Sequence, residues 1–472
     1  MSNIERPTSL QGGTARIDIT PEGAVSMGGY GQRAGQVSQG VHDPLSTKAL
    51  FLTDGTTRLL FLTADLVSIP NSLYARVLAG LTAAGVADAD GICLSASHTH
   101  SGPDVEDSLI VAAPTRKYLD CLAQALIKVG QEAATDPVPV RLKLGCGQVD
   151  FLVNRRQPGG DGPVDQRVLV VGVERKEGAP LAVLFGVGCH AVCLGHDNLL
   201  ISADYPGYAQ RRIERNLPGC TALFVNLTEG NVIPSTRPWY DSLDTRGYQG
   251  GAFEDAEKIG HALADDVLRC LAASYSETQD RLQATGRSFT VRPALHELSH
   301  PAAWSRLLAC RRIILESLPG FRKASLFNLK PVFTLWRDAS RVVIERDLSE
   351  TEMRRLMSAV SEFLMMAMRL TNPAIRKPIP LPVQVIRLNE FRLLTLPGEA
   401  LVEVGRDWQA RNHPHEQDAF VIGLSNGFMG YLPHPDNFLE PGAEFKYETI
   451  MNALEPYSVR QALDQAGEML NG

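Results

Sequence analysis

Apolar runs rich in Val, Leu and Ile alternate with amphipathic stretches along most of the chain, the pattern of sheets covered by helices. Ala49 to Asp54 and Arg58 to Asp65 predict two strands joined by the Asp54-Gly55 turn. Further strands are predicted at Ile92 to Ser97, Val138 to Leu144, Arg167 to Val173, Leu181 to Val187 and Ala222 to Leu227, and helices at Ser72 to Gly85, Lys117 to Ala134, Tyr205 to Asn216 and Phe253 to Ala273. Between Pro301 and Asn372 strand-like runs give way to helical patterning, including a stretch whose Ser349 to Glu352 start has the form of a capping box. The sheet pattern resumes with a hairpin around Asn389-Glu390 and a strand at Ala419 to Leu424. The expectation is an α/β fold of mixed β-sheets flanked by helices: a domain over residues 14–472, a helical insertion at 301–372 and a flexible N-terminus at 1–13.

Composition narrows the function classes. The 472 residues carry 46 Lys and Arg against 53 Asp and Glu, a net charge of −7, so no surface is expected that would neutralise many phosphates, and nucleic acid is disfavoured as the main partner. No uncharged apolar run reaches the roughly 18 residues of a membrane span. The N-terminal residues lack the basic and apolar regions of a secretory signal, which predicts a soluble cytoplasmic protein with eight free cysteines.

The strongest local signal is SASHTHSGPD, where an apolar strand runs into His98-Thr99-His100. Residues two apart in an extended chain point the same way, so the pair suits a metal site, an acid/base pair or two structural loop histidines. In GVGCHAVCLGHDN, His190 follows a buried strand and must find a partner or sit at an opening. Cys189, Cys193 and His196 lack the paired half of a structural zinc site, so buried thiols are the simpler reading, and His413 and His415 read as surface residues. Glu399 follows a Pro-Gly turn at a predicted helix start, where the helix dipole favours a carboxylate; with two histidines it would complete a His₂Glu set. A rival is Gly423-x-Ser425-x-Gly427, the spelling of a nucleophile elbow, but Pro433 and Pro435 follow where a helix is needed, and no histidine lies beyond His434.

Taken in order, MGGYG at 27–31, GVHDPLSTKALFL at 40–52, SASHTHSGPD at 95–104, NRR at 154–156, His190, SADYPGYA at 202–209, PGE at 397–399 and GLSNGFMGYLP at 423–433 resemble the catalytic region of the neutral/alkaline non-lysosomal ceramidases over roughly residues 14 to 450. The resemblance implies one catalytic zinc held by His98, His190, Glu399 and Tyr431, with His100 and Arg155 beside it to orient the scissile carbonyl and stabilise its oxyanion. It implies hydrolysis of an amide by metal-activated water.

Two departures bear on the substrate. Where the family has a Gly-Asp-x-Ser-Pro segment with a serine proposed to act in catalysis, this chain reads Gly230-Asn231-Val232-Ile233-Pro234; the neighbouring Glu229 is either a proton-transferring carboxylate or a surface turn residue. The family's C-terminal β-sandwich and secretion signal are not in this sequence, and the helical segment 301–372 matches none of the motifs. The expectation is therefore a zinc-dependent amidohydrolase acting on a small or lipid-like amide. The alternatives are a zinc enzyme turned to a lyase or cyclase step and a non-catalytic metal-binding homologue. The Leu and Met face of the helical segment would suit a lid, a pocket wall or a homo-oligomer contact.

Overall fold

Strand β1 (Gln11–Asp18) begins inside the stretch expected to be a flexible N-terminus. Its sequence, QGGTARID, lacks the alternation that announces a strand, yet it pairs antiparallel with β2 (Ser46–Thr53), Gln11 opposite Thr53 and Asp18 opposite Ser46. Gly13 permits the close approach of the neighbouring helix end, because a Cβ there would collide with the Ala133 carbonyl. The structure, a computed structural model, describes residues 9–471 except 34, 106–112, 157–159, 238–249, 275–280, 294–300, 319–334, 372–377, 413, 415, 441–442 and 444–445. His413 and His415 thus lie outside the described residues.

The predicted alternation then unfolds along the chain. β2 turns at Asp54-Gly55 into β3 (Arg58–Ala64), Gly55 taking the positive φ of 90° that the turn needs. Helix α1 (Asn71–Ala83) crosses to β4 (Ile92–Ala96), parallel to β3, and α2 (Ala113–Ala133) follows. β5 (Val138–Gln148) leads through the short β6 (Leu152–Asn154) to β7 (Arg167–Arg175) and β8 (Pro180–Val187), and α3 (Asp204–Asn216) returns the chain to β9 (Thr221–Asn226), parallel to β8. β10 (Val232–Pro234) pairs with β6, and α4 (Phe253–Ala273) packs on the same side as α3. The resulting eight-stranded mixed sheet has the order β9-β8-β7-β5-β1-β2-β3-β4.

A second sheet of four strands, in chain order, comprises β11 (Leu282–Val291), β12 (Ile379–Leu388), β13 (Phe391–Thr395) and, after the two-residue β14 (Glu399–Ala400), β15 (Ala419–Ile422) parallel to β13. Among the described residues three helices, α5 (Pro301–Ser317), α6 (Leu335–Glu345) and α7 (Glu350–Thr371), lie between β11 and β12 and bury their own cluster around Ile314, Val343 and Met357. The capping box forms: the Ser349 and Glu352 side chains each meet the other's backbone N–H, at 3.4 and 3.0 Å.

The central core explains the layering. Leu50, Leu52, Phe61, Val171, Leu184 and Leu223 of the large sheet pack against Ile386, Leu393, Phe420 and Ile422 of the second sheet, while α1 and α2 cover Leu60, Leu62 and Leu94 and α3 and α4 cover Val170, Phe185 and Phe224 from outside. Strands buried on both faces read as continuous apolar runs, as β3, β4, β8 and β9 do. Three parallel pairs, β3/β4, β8/β9 and β13/β15, send their C-terminal ends to one place: Ala96 N–H donates to the Leu424 carbonyl at 3.1 Å and Gly423 N–H to the Asn226 carbonyl at 3.0 Å. Crevices beyond the carboxyl ends of parallel strands are where α/β folds bind ligands.

Candidate metal centre

His98 sits two residues beyond β4 with φ of 66°, a region costly for a residue with a Cβ and found mostly where function holds it. Its N–H donates to the Leu66 carbonyl at 2.9 Å and its ring Nδ1 to the Val67 carbonyl at 2.6 Å, so the tautomer leaves Nε2 as a lone-pair donor facing inward. His190, three residues beyond β8, is oriented the same way: Nδ1 donates to the Glu229 carbonyl at 2.8 Å, and the backbone N–H donates to the Val232 carbonyl at 2.9 Å. The two histidine blocks are stitched together by a bridge between Thr99 and Ala191 and by His100 N–H donating to the Ala191 carbonyl at 3.2 Å. Glu399 comes from β14, which pairs in parallel with β16 (Tyr431–Leu432) so that Glu399 stands opposite Tyr431.

These side chains converge. Glu399 Oε2 lies 3.2 Å from His190 Nε2 and 3.5 Å from His98 Nε2, and His100 Nε2 lies 3.2 Å from His98 Nε2. His190 is 0 % exposed, His98 1 % and Glu399 6 %, yet His190 Nε2 and Glu399 Oε2 lack any aligned hydrogen-bond partner. Unsatisfied buried donors and acceptors are rare and call for an explanation. Donors around a tetrahedral zinc at ordinary bond lengths stand about 3.3 Å apart, the spacing seen here, so the residues fit a metal ion. Burial alone would raise Glu399, but His98 and His190 outweigh it and hold the carboxylate well below its usual range. Burial, then His98 and His190, push His100 well down; burial, then Arg155, push His190 down to about 4. The His100 and His190 rings are therefore neutral near pH 7, the form that binds metals.

Arg155 reaches the same wall. Its Nε donates to Glu448 at 2.9 Å, and its terminal nitrogen donates to the Gly230 carbonyl at 2.8 Å and the Tyr431 hydroxyl at 3.0 Å. The structure thus brings all six residues singled out from the sequence, His98, His100, Arg155, His190, Glu399 and Tyr431, into one buried cluster linked by contacts of 3.5 Å or less and the β14/β16 ladder. Ile233 is buried against Tyr30 and Val192, and it carries no reactive atom. Ser425 is buried and donates to the Ile422 carbonyl at 2.9 Å and the Leu396 carbonyl at 3.2 Å, and no helix follows it, so the elbow reading fails. Cys189 and Cys193 are buried thiols raised well above their ordinary pKa by burial.

Three supporting residues, Arg33, Asp204 and Asn426, escape a sequence reading, and a fourth, Glu229, was given two readings there. Buried Arg33 donates to the carbonyls of Gly28, His100 and Asn198, fixing the loop that carries His100. Asp204 accepts from the N–H groups of Leu194 at 3.3 Å and Tyr205 at 2.6 Å, closing the turn after His190. Asn426 accepts from Leu94 N–H at 2.9 Å and ties its loop to β4. Glu229, one of whose readings was a surface turn residue, is 0 % exposed, because the following Gly230 is drawn under β14 by its N–H donating to the Ala400 carbonyl at 2.9 Å. Burial and then Glu399 push its carboxyl well above the ordinary range.

The chain was compared with known proteins. Residues 11–239 match the family model described as neutral/alkaline non-lysosomal ceramidase, N-terminal. Neutral ceramidase A of Dictyostelium discoideum is 23% identical, with 91% of this chain and 68% of that protein covered; neutral ceramidase of Pseudomonas aeruginosa is 27% identical, over 54% of this chain and 42% of that protein. The crystal structure of the Pseudomonas aeruginosa neutral ceramidase superposes with a TM-score of 0.70 at 20% identity, covering 98% of this chain and 74% of that one, and so shares the fold.

Proposed function

We propose that this chain, a member of the neutral/alkaline non-lysosomal ceramidase family in its catalytic region, is a zinc-dependent hydrolase of an amide bond in a small or lipid-like metabolite. The observation that carries the reading is the convergence of His98 Nε2, His190 Nε2 and Glu399 Oε2 in a buried site where neither His190 Nε2 nor Glu399 Oε2 has an aligned hydrogen-bond partner. His98, His190 and Glu399, with Tyr431 opposite Glu399, are the residues that would hold the ion. Nitrogen and oxygen donors of this kind suit zinc. What a bound zinc supplies is Lewis acidity, polarising an amide carbonyl and making water a competent nucleophile near neutral pH.

The remaining work falls to the protein. The carbonyls of Val67 and Glu229 hold the two imidazoles in one tautomer and one orientation. Arg155, fixed by Glu448 and the Gly230 carbonyl, and His100 present the donors that would meet the substrate carbonyl oxygen as it gains charge. Glu399, His100 and Tyr431 keep 6 %, 8 % and 8 % of their surface exposed while His190 keeps none, so a substrate enters from their side. With Ile233 apolar and Ser425 occupied by carbonyls, water is the nucleophile and no acyl-enzyme forms.

The relatives are named ceramidases, and N-acyl sphingoid bases are the first substrates to try. Ile233 in place of the serine argues that ceramides themselves turn over slowly compared with other N-acyl amines. The test is release of free amine and fatty acid from short- and long-chain ceramides and from simpler N-acyl amines by the zinc-loaded protein. Hydrolysis of at least one amide, lost on chelation, supports the reading. Ring closure or elimination products without hydrolysis would move the site to the lyase or cyclase alternative that Ile233 favours.

A further inference from the structure

We propose that Glu229 is a second anionic donor of the metal site, so that this centre holds its ion with two carboxylates, Glu229 and Glu399. The proposal rests on the metal-site reading above and goes beyond it, because none of the sequence motifs assigns Glu229 to the metal. Three observations carry it.

The first is position. One oxygen of Glu229, one oxygen of Glu399 and one ring nitrogen of His98 lie within 4.8 Å of one another, close enough for a small ion to be reached by all three after slight adjustment. The backbone around Glu229 is fixed, since its carbonyl accepts from His190 Nδ1 at 2.8 Å and from Val232 N–H at 2.7 Å. Its side chain therefore leaves the same turn that orients a histidine of the site.

The second is that the carboxyl has no hydrogen-bond partner. Glu229 is 0 % exposed, and neither side-chain oxygen has a hydrogen-bond partner. A buried carboxyl without a hydrogen-bond partner is costly to ionise unless a cation sits beside it. Arg155 acts on Glu229 only through space, its hydrogen bonds going to Glu448, the Gly230 carbonyl and the Tyr431 hydroxyl, and Arg156 bonds Glu448 and Glu440. A divalent ion among neutral imidazoles is matched in charge by two carboxylates and left with a net charge by one.

The third is the space kept for it. Gly423, the first residue of the loop that follows β15, lies beside this carboxylate, and a Cβ there would stand 2.7 Å from the Leu227 carbonyl and 3.0 Å from Glu229 Oε2, both tighter than ordinary contact. Any larger residue at 423 would crowd the carboxylate.

The test is zinc titration of the chelator-stripped full chain in competition with a chromophoric chelator, with melting temperatures of the stripped and zinc-loaded forms. Wild type, Glu229→Gln and Glu399→Gln are compared. The expected result is about one zinc per wild-type chain and a loss of at least about tenfold in affinity in Glu229→Gln, since removing even an outer partner of a metal ligand costs about that much. The stripped Glu229→Gln protein should melt no lower than stripped wild type, because an amide of nearly the same shape replaces a buried carboxyl that has no hydrogen-bond partner, while its gain on adding zinc shrinks. Should Glu229→Gln not fold, Glu229→Leu is read by the same criterion. Wild-type affinity in Glu229→Gln alongside weakened binding in Glu399→Gln would overturn the role of Glu229 and leave the metal site standing. Failure of wild type to bind zinc would overturn the reading beneath it.

Discussion

Glu448 grips Arg155 through a 2.9 Å contact between Oε1 and Nε, with both side chains 2 % exposed or less, and its other oxygen grips Arg156 at 2.9 Å. Glu448 lies on the single helical turn α8 (Tyr447–Ile450), which packs against α7 of the helical segment. The guanidinium that faces the site is thus held in place from the far end of the chain.

Removing that grip should be costly. Glu448→Ala leaves two buried guanidinium groups short of a counter-charge, and breaking a buried pair on one side destabilises by about 3 to 5 kcal/mol. Urea unfolding measures the loss. A change below about 1 kcal/mol would mean that the two arginines find other partners.

Asp204 sets a pH dependence. Burial raises its carboxyl from 3.8 to about 6, so between these values the folded protein keeps a proton that the unfolded chain releases, and stability falls as pH rises through that window. Above pH 6 the ionised buried group costs on the order of 3 kcal/mol. Asn at this position tolerates the φ of 51° and keeps an acceptor. Denaturation from pH 4 to pH 7 should therefore show Asp204→Asn gaining on wild type as pH rises. Parallel curves would count against this assignment.

Ser425 is predicted to be structural. Ser425→Ala should lose about 1 kcal/mol of stability with its two hydrogen bonds to carbonyls and keep turnover within a few-fold, and a fluorophosphonate should leave the protein unlabelled. Intact-protein mass spectrometry after incubation with substrate should likewise find no acyl adduct. A covalent adduct on any Ser, Thr or Cys would restore a nucleophilic mechanism.

The parts of this architecture legible from sequence are those whose signal is local. Apolar runs announced β3, β4, β8 and β9, Asp54-Gly55 announced a hairpin, and His98 and His190 stood out because each follows such a run. Glu399 stood out as a carboxylate that would complete a His₂Glu set, but Tyr431 could be named only from the order of motifs, since the ladder that places the two side by side joins residues 32 positions apart, a pairing no local pattern encodes. Strand β1 was missed because half-buried polar residues and two glycines carry no alternation. Glu229 was misjudged for the opposite reason: a Glu-Gly-Asn sequence spells an exposed turn, and only the tertiary bond from Gly230 to Ala400 takes it inside. Arg33 and Glu448 act on partners as far as 165 and 293 residues away.

The central claim is a zinc centre built on His98, His190 and Glu399, and elemental analysis of the purified and zinc-reconstituted chain tests it most directly. About one zinc per chain is predicted for wild type, with occupancy strongly reduced in His190→Ala and in Glu399→Ala while both variants keep the wild-type circular dichroism. A wild-type chain that binds no zinc after reconstitution, or a His190→Ala variant that holds as much zinc as wild type, would contradict the account.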